Sequence, residues 1–101
     1  MKNESSEFNR EKYYLNIIDV FNSRARTKII EILAINNELN ISQIIKKTSL
    51  NHSCVKFHLD YLKKIDFIQE KKFGRIKIYR FKDENINARA LKKLIELWSF
   101  E

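Results

Sequence analysis

A single glycine, Gly74, and the complete absence of proline constrain the fold of this 101-residue chain most strongly. A chain so poor in the residues that break helices and strands is built from regular elements with few tight turns. Gly74 lies between two runs of strand-favouring residues, IQEKKF and RIKIYRF. Because a tight turn needs a residue that tolerates positive φ, the segment 68–82 is predicted to form a β-hairpin.

Helical periodicity dominates the N-terminal part of the chain. Apolar residues recur at helical spacing over residues 7–21, and Asn22 and Ser23 then end this helix and supply a cap for the next one. The second helix is predicted from Arg24 to about Ile35, with a continuous apolar patch that faces a core.

Two shorter helices are predicted after the polar segment NNELN. Leu39 indicates a very short strand, and Asn40 with Gln43 forms a capping-box pattern that opens a short helix. Asn51 is positioned to cap the next helix, which is predicted over residues 51–65. A last helix follows the hairpin and is capped within residues 83–85.

The predicted order is helix, helix, short strand, helix, helix, two-stranded ribbon and helix, within a single domain of residues 1–101. The fold class is mainly α with a small β-hairpin (α+β). Two helices joined by about three residues and followed by a basic ribbon form the winged helix-turn-helix arrangement. Its core is predicted over residues 22–82, between an N-terminal helix at 7–21 and a C-terminal helix at 83–101.

Positive charge is concentrated in the middle third of the chain. The net charge is +7, yet residues 46–82 alone hold eleven Lys and Arg against three Asp and Glu. A charge that served solubility would be spread evenly, whereas a concentrated one is expected on a surface that binds a polyanion. The charge alone leaves a second interpretation open, a solvated lysine-rich surface without a partner.

Composition excludes several classes of protein. Hydrophobic residues make up 44% and charged residues 33%, which is typical of globular domains and not of disordered chains. No apolar run approaches the roughly 20 residues of a membrane span, and the first ten residues lack the apolar core of a signal peptide. The one cysteine, Cys54, cannot form an intrachain disulfide. We therefore expect a cytoplasmic protein without membrane contact.

Three segments of the chain resemble ArsR-like winged-helix transcriptional regulators, particularly small archaeal ones. They are NSRARTKIIEIL, ISQIIKKTSLNHSCVKFHLDYLKKIDFI and GRIKIYRF, which lie within residues 22–82. The sequence departs from the family's pattern at Ser49, where the turn often carries glycine, and at Lys56, where the family commonly has serine. The resemblance implies double-stranded DNA as a partner and a homodimer that pairs its terminal helices.

The helix at 51–65 is the predicted recognition helix. In this fold the first turn of the second helix approaches base edges in the major groove. Asn51 is assigned to the cap, and the predicted base contacts are His52, Ser53, Lys56 and Phe57. Contacts with the DNA backbone or the minor groove are predicted for the wing at 68–82 and the end of the preceding helix, through Lys71, Lys72, Arg75, Lys77, Lys46 and Lys47.

Cys54 and His58 lie four residues apart on one helical face, a spacing that can place two ligands on one metal ion. The pattern lacks a third ligand, so we predict no metal and no cofactor, and we assign His58 to packing. Two interpretations stay open for Cys54, a reactive thiol near a helix N-terminus or a small residue tolerated there. We predict no enzymatic activity, because the chain has neither a glycine-rich phosphate loop nor a converging catalytic set.

Apolar residues at both ends of the chain exceed what one small motif can cover. The predicted dimer interface contains Tyr14, Ile17, Ile18, Phe21, Leu91, Leu94, Ile95 and Trp98. In the competing arrangement, the two terminal helices cover each other within one chain. A second class of function also stays open, a winged helix that binds proteins or RNA without operator specificity.

Overall fold

The computed structural model describes residues 16–99, and its elements follow the predicted order. They are α1 (Ile17–Phe21), α2 (Arg24–Asn36), β1 (Glu38–Asn40), α3 (Ile41–Thr48), α4 (His52–Lys64), β2 (Ile68–Phe73), β3 (Ile76–Phe81) and α5 (Ile86–Ser99). The segment 7–15 of the predicted N-terminal helix, with Tyr14, lies outside the described residues. Within residues 16–99, each helix is too short or too polar to span a membrane.

Side-chain caps begin the helices at the predicted positions. Each capping side chain accepts a hydrogen bond from a backbone N–H in the first turn of its helix: Ser23, Asn40, Asn51 and Asn85. The Asn40–Gln43 pair is reciprocal, because Gln43 Oε1 also accepts from the Asn40 N–H at 2.9 Å. These bonds satisfy N–H groups that have no partner inside the helix, so the helix starts are set locally.

A third strand joins the predicted hairpin. β1 pairs antiparallel with β3, which gives the strand order β1-β3-β2 and places Leu39 opposite Tyr79. The sequence predicts a two-stranded ribbon and a separate short strand, so the three-stranded sheet corrects that expectation. The physical reason is that β3 satisfies the backbone groups of Glu38–Asn40 while Leu39 enters the core.

The core lies between the helices and the inner face of the sheet. Leu33 of α2 and Leu59 of α4 are fully buried, and they belong to one cluster with Tyr79 and Phe81 of β3. Tyr79 and Phe81 therefore anchor the wing in the core. This anchoring holds the inner end of the wing against α4 and leaves its tip in solvent.

The turn between α3 and α4 is made without glycine. Ser49 adopts the left-handed conformation, with φ of 61°. The buried Thr48 hydroxyl donates to the Ile44 carbonyl at 2.7 Å, and the same oxygen accepts from the Leu50 N–H at 3.3 Å. These two bonds stabilise the backbone around Ser49 in the left-handed conformation, which glycine would adopt at a lower conformational free energy. The turn therefore sets the angle between the two helices of the motif.

Candidate nucleic-acid interface

The first turn of α4 presents exposed polar side chains to solvent. Asn51 is occupied as the cap, with its Oδ1 accepting from the Cys54 N–H at 2.8 Å. His52 and Ser53 are exposed, and neither makes a side-chain hydrogen bond within residues 16–99. One turn further, Phe57 is 64% exposed. A helix start of this kind offers unused donors and an apolar surface to a groove of duplex DNA.

Lys56 belongs to the same surface but has an acidic neighbour. Its Nζ lies 3.4 Å from Asp60 Oδ1, and both side chains are about half exposed. An exposed pair of this kind contributes roughly 0–1 kcal/mol, because water and salt screen the charges. A phosphate or a base edge can therefore compete with Asp60 for the Lys56 ammonium.

The predicted wing cations divide into two groups. Lys71 Nζ lies 2.7 Å from Glu38 Oε2, and Lys77 Nζ lies 3.8 Å from Glu70 Oε2. Lys72 and Arg75 have no acidic partner among residues 16–99. Lys72 and Arg75 are therefore the wing cations with the most charge available to a phosphate.

Lys46 and Lys47 lie at the end of α3, next to the turn that leads into α4. Both are exposed and have no acidic partner in the described part of the chain. Their place in the last turn of α3 also complements the negative end of that helix dipole. They extend the basic surface from the wing to a third element of the motif.

Glu70 fixes the wing relative to α4, and the sequence analysis did not identify it. Its Oε1 lies 2.5 Å from Lys63 Nζ, and its carboxylate also faces Lys77. The hydrogen bond from Lys63 lowers the pKa of Glu70, and the same bond raises the pKa of Lys63. Both groups are thus charged at neutral pH and hold helix and ribbon together. The sequence signal that could have identified Glu70 is a single glutamate within a strongly basic segment.

Arg26 is a buried cation that connects three helices. Its Nη1–H donates to the backbone carbonyl of Asp19 in α1 at 2.5 Å. The guanidinium carbon lies 3.7 Å from the ring centroid of Tyr61 in α4. The sequence analysis missed Arg26, although it lies three and four residues before the buried Ile29 and Ile30 and so shares their helical face.

His58 in α4 completes this cluster. Arg26 Nε–H donates to His58 Nδ1 at 3.3 Å, so the neutral ring carries its proton on Nε2, which lies 3.4 Å from Ser23 Oγ. The ring is buried, which confirms its assignment to packing. Burial and then the neighbouring Arg26 charge lower the pKa of His58 from 6.5.

We expect stability to fall as the pH drops below 6.5, the ordinary pKa of histidine. Below that pH the unfolded chain binds a proton at His58 and the folded chain does not, so protons favour unfolding. The loss accumulates until the folded His58 also titrates. Urea unfolding at fixed protein concentration between pH 7.5 and pH 5.0 measures this loss of stability.

His58→Asn is the matched control, because asparagine keeps an acceptor near the position of Nδ1 and does not titrate. This variant is expected to lose less stability than the wild type over the same pH range. Glu70, whose pKa is lowered, contributes stability that is lost only at more acidic pH. Equal pH dependence in the two proteins would show that His58 does not set this response.

Cys54 and His58 do not meet at a metal site in the described residues. Both ring nitrogens of His58 have protein partners, and no group of three His, Cys, Asp or Glu side chains within residues 16–99 could hold an ion. Cys54 is half-buried in the first turn of α4. The expectation that no metal binds, and the choice between the two interpretations of Cys54, stay predictions.

A second surface, formed by α1, α2 and α5, is apolar. An open groove of about 230 Å³ is lined by Phe21, Thr27, Ile30, Glu31, Leu91, Leu94, Ile95, Trp98 and Ser99. Leu91 and Ile95 are half-buried and pack on the chain's own core. Leu94 and Trp98, by contrast, are 50% and 75% exposed, and Ile17 and Ile18 of α1 are exposed as well. Two of the predicted interface residues, Leu91 and Ile95, thus pack within the chain. The residues that face outward are Ile17, Ile18, Leu94 and Trp98.

Comparisons with known proteins agree with this architecture. Residues 23–70 match the sequence pattern of the bacterial regulatory proteins of the arsR family. A comparison with curated protein sequences finds no match.

Solved structures are similar over almost the whole chain. HlyU from Vibrio cholerae is 17% identical, covers 100% of both chains and has a TM-score of 0.72. The transcriptional repressor PagR of Bacillus anthracis is 22% identical, with 92% of this chain and 99% of that chain covered and a TM-score of 0.67. NolR from Sinorhizobium fredii is 16% identical, with 97% and 94% covered and a TM-score of 0.72.

At these identities the structures establish the fold, and the sequence match relates residues 23–70 to the arsR family. The match spans α2 to the first half of β2 and so includes the whole helix-turn-helix motif. The resemblance to small archaeal members stays a prediction. Residues 23–70 therefore match the helix-turn-helix pattern of the arsR family of bacterial regulatory proteins, and the family resemblance found in the sequence is confirmed.

Proposed function

We propose that the chain is a homodimeric regulator that binds a specific sequence of double-stranded DNA. The first turn of α4 would enter the major groove, and the wing would contact the backbone or the minor groove. The observation that carries the proposal is the exposed start of α4, where the His52 and Ser53 side chains make no hydrogen bond within residues 16–99 and Phe57 is 64% exposed. Side chains of this kind at a helix start are what base recognition requires.

The basic surface supports the same conclusion. The cations of α3 lie next to the turn that leads into α4, and those of the wing lie on the ribbon that packs against α4, so both groups can contact the DNA backbone beside the groove that α4 enters. Contacts with phosphates set the register of a protein on DNA, while contacts with base edges give specificity. Lys72 and Arg75 are therefore assigned to affinity, and His52 and Ser53 to specificity.

The apolar groove supports the dimer. Large exposed apolar patches are uncommon on monomers, and dimer interfaces are rich in aromatic and aliphatic side chains. A two-fold pairing through α1 and α5 would cover Leu94 and Trp98. It would also place two α4 helices about 34 Å apart, the distance between successive major grooves on one face of DNA.

Removal of two wing cations should weaken the dependence of DNA affinity on salt. Each phosphate contact contributes about 0.9 to the slope of log affinity against log salt, so Lys72→Ala with Arg75→Ala should reduce the slope by about 1.8 per chain. Affinity should fall alike for all duplex sequences. Titration of fluorescent duplexes over a salt series gives the slope.

The matched control is Arg89→Ala with Lys93→Ala, which removes the same charge from exposed positions of α5. This variant should keep the wild-type slope. An affinity that does not change with salt in the wild type would exclude the DNA interface and favour the protein-binding alternative. Preference for single-stranded or duplex RNA in the same titration would favour the RNA-binding alternative.

A further inference from the structure

The tip of the wing carries an exposed apolar pair. Phe73 and Ile76 lie opposite each other across the two-residue turn Gly74-Arg75. They are 59% and 55% exposed. Neither belongs to the hydrophobic core cluster or packs against it. The pair therefore needs an explanation outside the core of the chain.

The alternation of side chains along the strands shows which way this pair faces. Tyr79 on β3 is buried against the helices, and Ile76, an odd number of residues away, lies on the opposite, outer face of the ribbon. Phe73 shares that face because it pairs with Ile76. The helices within residues 16–99 thus do not cover the pair.

Cations adjoin the apolar pair. Lys72 and Lys77 are the next cross-strand pair inward from the tip and lie on the other face of the ribbon, and Arg75 occupies the turn itself. A partner for this tip must be apolar at its centre and anionic at its rims. The minor groove of duplex DNA fits this description, because stacked bases lie between two rows of phosphates.

The dimensions of the tip decide which of its parts can enter the minor groove. Two paired strands lie about 4.8 Å apart between their axes, and the minor groove of B-DNA is about 6 Å wide. With the radii of its own atoms added, the backbone of the tip is wider than this groove, so the tip can insert only side chains such as Phe73. Apolar side chains that enter the minor groove partly unstack a base step and bend the duplex.

We propose that Phe73 and Ile76 form an apolar wedge that enters the minor groove and bends the DNA at a flexible base step. This inference rests on the proposed DNA binding and adds a source of sequence preference to it. Pyrimidine–purine steps such as TA unstack most easily, so the wedge would favour them without reading a base edge. Arg75 at the turn would favour a narrow A·T-rich groove beside the step.

The test uses the full chain and duplexes that the wild-type protein selects from a random pool. Dyes at the two duplex ends report bending by energy transfer, and 2-aminopurine at a TA step reports unstacking. We expect the wild type to bend the duplex by about 20–90° and to raise 2-aminopurine fluorescence. Phe73→Thr with Ile76→Thr should remove both signals and lower affinity about tenfold.

Two controls separate the wedge from charge and from folding. Lys72→Ala should lower the salt slope by about 0.9 and keep the bend, whereas the threonine variant should keep the slope and lose the bend. Phe73→Leu, which keeps an apolar side chain at the tip, should retain most of the bend. The threonine residues are β-branched and suit a strand, so the unfolding midpoint should stay near that of the wild type.

Three results would overturn the wedge. The first is equal bending by the wild type and the threonine variant, which would leave the proposed DNA binding intact. The second is loss of bending in Phe73→Leu as well as in the threonine variant without loss of affinity. The third is binding of the wild type, but not of the variant, to anionic phospholipid vesicles with unchanged DNA bending. Failure of the wild type to bind any duplex would instead refute the proposed function.

Discussion

The double substitution Leu94→Glu with Trp98→Glu is expected to make the protein monomeric and to lower its affinity for duplex DNA by about 100-fold or more. Leu94 and Trp98 are exposed on the outward side of α5 and line the apolar groove. Tryptophan at the centre of an interface is often a dominant contact, and a charge buried there without a partner opposes association. A monomer has one α4 and one wing, so it loses the gain from two linked contacts with DNA.

Light scattering at micromolar concentration measures the mass, and a DNA titration measures the affinity. The control is Ile35→Glu with Ile86→Glu, which makes the same change in charge at exposed apolar residues that do not line the groove. This control should keep the wild-type mass and affinity. A wild-type protein that already has the mass of one chain would contradict the dimer and favour coverage of α1 and α5 within one chain.

Replacement of Arg26 by leucine is expected to destabilise the fold by about 3 kcal/mol. The change leaves His58 Nδ1 without its donor and removes the guanidinium from the Tyr61 ring. It also removes one of the two donors to the Asp19 carbonyl, which then keeps only the Asn22 N–H at 3.4 Å. An unsatisfied buried acceptor such as His58 Nδ1 costs about 1–3 kcal/mol, and the lost bond to the Asp19 carbonyl and the lost contact with the Tyr61 ring add to this cost. The unfolding temperature should fall by more than about 10 °C in a domain of this size.

Arg24→Leu is the matched control, because Arg24 is exposed on the same helix and should change stability by less than about 0.5 kcal/mol. The loss of stability in Arg26→Lys should lie between those of Arg26→Leu and Arg24→Leu, since an ammonium keeps the charge but lacks the planar fork that reaches both acceptors. Urea unfolding at one protein concentration compares the variants. A loss below about 1 kcal/mol for Arg26→Leu would show that the cluster does not hold α1 and α4 together.

Local signals in the sequence determined most of the elements. The caps at Ser23, Asn40 and Asn51 lie within a few residues of the N–H groups that they satisfy, so their spacing is visible in the chain itself. The hairpin followed from one glycine between two strand-like runs, and Gly74 does adopt positive φ. The concentration of charge over 46–82 is likewise a property of the sequence alone.

The tertiary structure decided which residues that are far apart in sequence contact one another. The ion pair of Lys71 with Glu38 spans 33 residues, so only the pairing of β1 with β3 shows that Lys71 is less available to phosphate than Lys72. Helical spacing places Arg26 on the buried face of α2, but its partners Asp19 and His58 come from α1 and α4, and no local spacing encodes that meeting. Periodicity and capping act over one helical turn, whereas the path of the chain selects partners that are far apart in sequence.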